Sequence, residues 1–218
     1  RLLVVHNGVA PGFSPRPDPE ADQALAEMLR SEAPALLHVG STIPRKRIEL
    51  LLASFALVRQ VRDDLLLVRI GGPFTRSQQA MVDAMGLDQH IRVLPFLDRR
   101  LLAAAYRRST LVLLPSEREG FGLPLVEAMA CGTPVLASDL PVFREVGAAA
   151  AAYCPGDDPE EWRDRTLELL AERDGAPDLW ERRRRAGMER ASAFSWASAA
   201  EQLSDLYHSV MESAGARK

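Results

Sequence analysis

Short, nearly unbroken apolar runs alternate along this chain with stretches whose apolar residues recur every three or four positions, a rhythm few folds accommodate. The runs predict strands over residues 2–6, 35–39, 65–70, 91–94, 111–114, 134–137 and 150–153. Most lack polar alternation, as strands covered on both faces do. Between them, Ile48, Leu51, Leu52, Phe55 and Val58 follow the spacing of one buried helix face. Further helices are predicted over 20–31, 77–85, 99–107, 123–130 and 158–172. Repeated strand–helix–strand units make right-handed crossovers and a single open sheet. The fold class is therefore α/β, a doubly wound, Rossmann-like parallel sheet. Such sheets bind ligands outside the carboxyl ends of their strands. That rule directs attention to residues 40–46, 71–74, 95–97, 116–123 and 138–140.

The 218 residues suffice for one large domain with a buried core. Residues 1–19 read as a strand and a Pro- and Gly-rich linker, 20–192 as the sheet domain, and 193–218 as a terminal helix. In that helix Trp196, Leu203, Leu206 and Val210 share a face, suited to this domain or to a partner outside the chain. The first residues already read as a strand without an initiator Met, so the expectation is a piece of a longer polypeptide. A net charge of −3 and a pI near 5.9 argue against a dedicated nucleic-acid binder. The Arg182–Arg185 run is flanked by acidic residues and reads as a solvated helix face. Two cysteines give no disulfide framework and fit a reducing compartment, hence a cytoplasmic protein. No apolar run reaches the roughly 18 residues of a membrane span.

The chemistry concentrates between Ser116 and Asp139. Pro115 ends a buried strand, since it cannot donate to a central ladder. A polar, glycine-punctuated loop follows, then a helix with Pro124 in its first turn. Gly122 permits close backbone approach and unusual dihedrals. The helix start carries the positive end of the macrodipole, about half an elementary charge. Strand, glycine loop and helix start together suit an anion. Glu119 in the loop and Glu127 in the helix bracket that site. Carboxylates repel phosphate but accept charge-assisted bonds from paired sugar hydroxyls. The reading is a sugar at Glu119, a ribose at Glu127, and phosphates between.

These residues carry a resemblance. "EREGFGLPLVEAMACGTPVLASD" is similar to the E-x(7)-E region of family 4 glycosyltransferases, retaining enzymes of the GT-B fold. The likeness extends through "LLHVGSTIPRKRIELLLASF", "LVRIGG", "IRVLPFLDRRLLAAAYRRSTLVLLPS", "LPVFREV", "YCPGDDPEEW" and "FSWASAAEQLSDLY", and "RLLVVHNGVAPGFSP" resembles the segment joining the family's two domains. The resemblance implies the nucleotide-sugar-binding C-terminal half of such an enzyme. It assigns Glu119 to the transferred sugar, with the backbone of Phe121, Gly122 and Leu123 assisting, and Glu127 to the ribose. Lys46 matches the lysine that neutralises the diphosphate, and Arg45 stands beside it. Phe96 and Leu97 fall in the loop that cradles the base, and Gly40 in the glycine turn beneath the donor. Glu119 and Lys46 are the candidate catalytic residues.

The implied donor is a UDP- or GDP-hexose, and the implied partner an N-terminal acceptor domain outside this chain, which leaves membrane-surface work open to the rest of the protein. Many relatives carry Arg after the first glycine, where this chain has Ser41. Either Arg45 supplies the second charge, or the diphosphate binds more weakly, or the donor differs.

A cation placed at the leaving diphosphate stabilises its developing charge. With no acidic cluster in a suitable loop, no metal and no cofactor are expected. Two rivals remain: a sugar-nucleotide epimerase, and a nucleotide-sugar-binding module without catalysis. A dehydrogenase fits less well, because no G-x-G-x-x-G follows the early strands. Elsewhere the bland readings are preferred. His38 reads as a strand-end histidine with its hydrogen bonds satisfied, Cys131 as a small buried residue, and Asp139 as a cap of a short helix. Trp180, Trp196 and Tyr207 read as packing residues, and His6, His90 and His208 have no clustered partners.

Overall fold

The computed structural model describes residues 3–215. Six parallel strands form one sheet: β1 (Ala35–Val39), β2 (Leu66–Ile70), β3 (Ile91–Leu94), β4 (Leu111–Leu114), β5 (Val135–Ser138) and β6 (Ala152–Cys154). Their order across the sheet is β3-β2-β1-β4-β5-β6. The chain thus winds outward in one direction from β1 and then in the other from β4, and the switch between them opens a crevice at the carboxyl edge.

Successive side chains of most strands enter opposite cores, which explains the unbroken apolar runs; in the edge strand β3 only Ile91 and Leu94 do so. Leu37, Val68, Val112 and Ala137 pack with residues of α1 (Pro19–Leu29), α4 (Arg99–Arg108), α5 (Leu123–Ala130) and α6 (Pro141–Gly147). Leu36, Leu67, Leu113 and Leu136 pack with Leu51, Phe55 and Val58 of α2 (Ile48–Arg59) and with Trp162 and Leu170 of α7 (Pro159–Gly175). Helix α3 (Arg76–Ala84) is opened by a reciprocal Thr75–Gln78 capping box. Asp18, Asp98 and Asp158 cap α1, α4 and α7 through their side chains. Helix α8 (Pro177–Ser192) covers α5, and α9 (Trp196–Gly215) closes the described chain.

Three local expectations are corrected. No strand forms over residues 3–6, and Leu2 lies outside the described residues. That segment finds no open ladder; instead Val9 makes a single parallel bridge to Ser195, its N–H donating to the Phe194 carbonyl at 2.9 Å. The last strand starts at Ala152 rather than residue 150, because residues 148–150 form a 3-10 turn entered through Ala148 at φ 46°. Trp196 and Tyr207 are not packing residues here. They are 51% and 66% exposed, and α9 buries only Ala199 among its described side chains. Trp180 does pack against the second core, and Cys131 is buried.

Candidate functional site

Two loops at the switch point build the site. After β1 the chain turns through Gly40 into a 3-10 turn, Pro44–Lys46, and Arg47 enters α2 at φ 48°. After β4, Pro115 and Ser116 start the loop that carries Glu119 to α5. The loops are tied by the Glu117 N–H, which donates to the Arg45 carbonyl at 2.8 Å. Gly122 caps α5 at φ 91°, and a Cβ there would lie 2.7 Å from the Phe143 ring. Only glycine meets both conditions.

Glu119 is the centre of this arrangement. Its carboxylate accepts from the Lys46 Nζ, from Arg45 Nη1 at 2.9 Å and from Ser116 Oγ at 2.9 Å. The side chains of Lys46 and Glu119 are only 8% and 9% exposed, so the pair is buried as a unit. Burial alone pushes the Glu119 carboxyl up. The Lys46 ammonium, the Ser116 hydroxyl and the Arg45 guanidinium outweigh it and hold the group below the ordinary carboxylate value. Arg45 also donates to the Arg118 carbonyl at 2.9 Å, so both of its contacts lie in the Glu119 loop.

Glu127 sits on the second turn of α5, half-buried. Its Oε2 accepts from the Tyr106 hydroxyl at 3.0 Å. Burial pushes this carboxyl up, and the Tyr106 bond and the Arg99 charge only partly oppose it. Glu119 is therefore held as an anion, whereas Glu127 is the more easily protonated of the two.

The remaining expected residues divide. Gly40 lies against Lys46, a Cβ on it meeting Lys46 Cε at 3.2 Å. Phe96 is 75% exposed in the loop after β3, beside Gly72 of the loop after β2, and Leu97 is half-buried next to it. The Phe121 ring turns toward His6 and Phe194, with centroids 6.1 and 5.6 Å away, which leaves its backbone for the loop. Leu123, the first residue of α5, is exposed. Asp139 caps nothing and is bound to Arg144 by two bonds of 2.6 and 2.8 Å.

Sequence reasoning missed Ser116, Tyr106 and Arg69, and misread His38. His38 is fully buried with neither ring nitrogen hydrogen-bonded, not satisfied as expected. Burial, then the Arg69 and Lys46 charges, pull its pKa down to about 3, so the ring is neutral. Arg69 lies beside it on β2 and donates to the Gly40 and Gly72 carbonyls. Among the described residues no group of three or more His, Cys, Asp or Glu side chains converges to hold a metal ion. No helix of these residues is long and apolar enough to cross a membrane.

Residues 23–190 match the family model described as glycosyl transferases group 1. A D-inositol 3-phosphate glycosyltransferase from Mycobacteroides abscessus is 34% identical over 221 residues, covering 95% of this chain and 46% of its own length. Sucrose-phosphate synthase from Thermosynechococcus elongatus superposes with a TM-score of 0.80 at 26% identity, covering 96% of this chain and 52% of that one. The fold is shared with Anabaena HepE, solved in complex with UDP-glucose, at a TM-score of 0.78 and 18% identity over 95% of this chain and 57% of that one. The chain spans about half the length of the curated relatives it matches.

Proposed function

Because the chain belongs to the group 1 glycosyltransferases, of GT-B fold, and matches their C-terminal half, we propose that it is the donor-binding half of a retaining, metal-independent hexosyltransferase. The donor is a nucleotide diphosphate hexose, UDP- or GDP-linked, and the acceptor a hydroxyl held by an N-terminal domain outside this chain. The observation that carries the reading is the meeting of Lys46 and Glu119 from two loops at the switch point.

In this reading the diphosphate takes the Lys46 ammonium, which stabilises the charge that develops as the glycosidic bond breaks. Glu119, kept anionic, accepts hydroxyls of the hexose, and Arg45 and Ser116 stay with it to hold its orientation. Glu127 takes the ribose. The backbone from Phe121 to Leu123 presents the uncapped start of α5 to the phosphates. Phe96 and Leu97 take the base, for which an exposed aromatic ring beside a glycine turn is suited. The UDP-glucose bound by the Anabaena neighbour favours a uridine donor. The exposed Trp196, Tyr207 and Val210 of α9 await the acceptor domain. Two free, buried cysteines suit a reducing compartment, and we place the protein in the cytoplasm.

Calorimetric titration of the folded chain with UDP, GDP, ADP and their hexose conjugates tests the proposal. Saturable heat with one nucleotide series is expected; silence with all of them would overturn it.

A further inference from the structure

We propose that Arg69 is a positioning residue for the donor's diphosphate, an unpaired positive charge acting from behind the Gly40 turn. The inference rests on the donor-binding reading and adds to it a residue that sequence reasoning passed over.

Arg69 is fully buried, yet its bonded partners are carbonyl oxygens rather than a carboxylate. Nη2 donates to Gly40 O at 2.9 Å and Nη1 donates to Gly72 O, while Nε has no partner. The guanidinium lies over the Phe74 ring, 5.3 Å from its centroid. Burial pulls its pKa down to about 10, with no opposing carboxylate, so it stays charged at neutral pH. His38, its register neighbour on β1, is neutral and offers no counter-charge. A buried cation without an anion is costly to keep. Of the other cations of the site, Arg45 stays with Glu119, which leaves Lys46, itself in contact with Glu119, as the one cation facing the diphosphate.

The bond to Gly40 also sets the direction of a peptide group. In a trans peptide the N–H and C=O point oppositely, so drawing the Gly40 carbonyl toward Arg69 turns the Ser41 N–H away from it. Gly71 makes this possible, because a Cβ there would lie 2.0 Å from Gly40 O. Lys46 also lies against Gly40, its Cε 3.2 Å from where a Gly40 Cβ would be. An anion at Lys46 therefore meets a peptide oriented by Arg69 with a cation behind it, an arrangement that favours negative charge at a distance. Arg69 supplies from within the sheet the second charge that Ser41 cannot supply.

The test is calorimetry of the folded chain with UDP and GDP, using wild type, Arg69→Met and Arg69→Lys, with thermal unfolding of each free protein. Arg69→Met is expected to weaken the bound diphosphate about tenfold, and Arg69→Lys, which keeps the charge, by no more than about threefold. Arg69→Gln, whose amide donates to Gly40 O without charge, should lose affinity as Arg69→Met does, and rescue by lysine but not by glutamine is the outcome that a purely structural role would not give. Affinity in Arg69→Met equal to wild type would overturn the proposal, as would equal losses in Arg69→Met and Arg69→Lys. If Arg69→Met does not fold, Arg69→Gln carries the same comparison. Should wild type bind neither nucleotide, the donor-binding reading falls and this proposal with it; wild-type binding with no charge effect removes this proposal alone.

Discussion

Glu119 and Glu127 stand eight positions apart on either side of Gly122, and both are withdrawn from water, yet their chemistry diverges. The loop surrounds Glu119 with Lys46, Arg45 and Ser116, and its carboxyl falls below the ordinary value. The helix gives Glu127 one phenol and a more remote arginine, and burial wins. Removal from water raises a carboxyl by default, and here cations brought in from another part of the chain, helped by the nearby Ser116 hydroxyl, reverse it. The loop thus favours the ionised form of its carboxyl, and the helix opposes it.

The contrast breaks most completely if the backbone between the two carboxylates is moved. Gly122→Ala must place a methyl against the Phe143 ring at φ 91°. A loss of about 2–4 kcal/mol in urea unfolding is expected, from backbone strain and overpacking together.

Glu119→Ala sharpens the contrast next. It should weaken a hexose-bearing nucleotide about 10- to 100-fold relative to the bare nucleoside diphosphate, since only the former needs the carboxylate. An unchanged ratio in paired titrations would remove Glu119 from sugar recognition.

The pH dependence of stability should carry opposite signs for the two residues. Glu119, with a depressed folded-state pKa, stabilises the fold above the unfolded value near 4.5, and this is lost as pH falls through the folded pKa. Glu119→Gln should therefore be less stable than wild type at pH 7, the gap closing in acid. Glu127, with a raised pKa, carries a penalty that grows as pH rises from about 4.5 through its folded pKa. Glu127→Gln should be the more stable protein at pH 7, and that gap should also close in acid. Denaturant curves between pH 3 and pH 7, a range of about four units, read both signs.

The smallest effect is expected from Tyr106→Phe. It deletes the bond to Glu127 at the cost of about 1 kcal/mol and drives that carboxyl further up, readable by carbon-13 NMR titration.

Much of this was legible in the letters. Most strands of the sheet coincide with an apolar run because they are covered on both faces, the edge strand β3 with its exposed Val93 excepted, and the glycine loop announces itself through Gly122 and Pro124. Residues 3–6 misled because a strand's composition does not supply a ladder to join. Trp196 and Tyr207 misled because an apolar helix face does not say which body it covers. Arg69 sits in a strand where its neighbours are apolar, and its partners are backbone carbonyls, which leave no mark in a sequence. Tyr106 reads as core, and only its hydroxyl, reaching 3.0 Å to Glu127, makes it part of the site. Pairings such as Lys46 with Glu119 join residues 73 positions apart, and only the folded topology decides them.

The single bridge between Val9 and Ser195 has a consequence for the architecture. Everything from α1 to α8 lies between two points that touch, so the unit is very nearly a closed circuit. Such a circuit tolerates being opened elsewhere. Joining residues 9 and 195 through a short linker and cutting the exposed turn at Gly86, where a side chain would meet no atom within 4 Å, should yield a circular permutant with the same sheet.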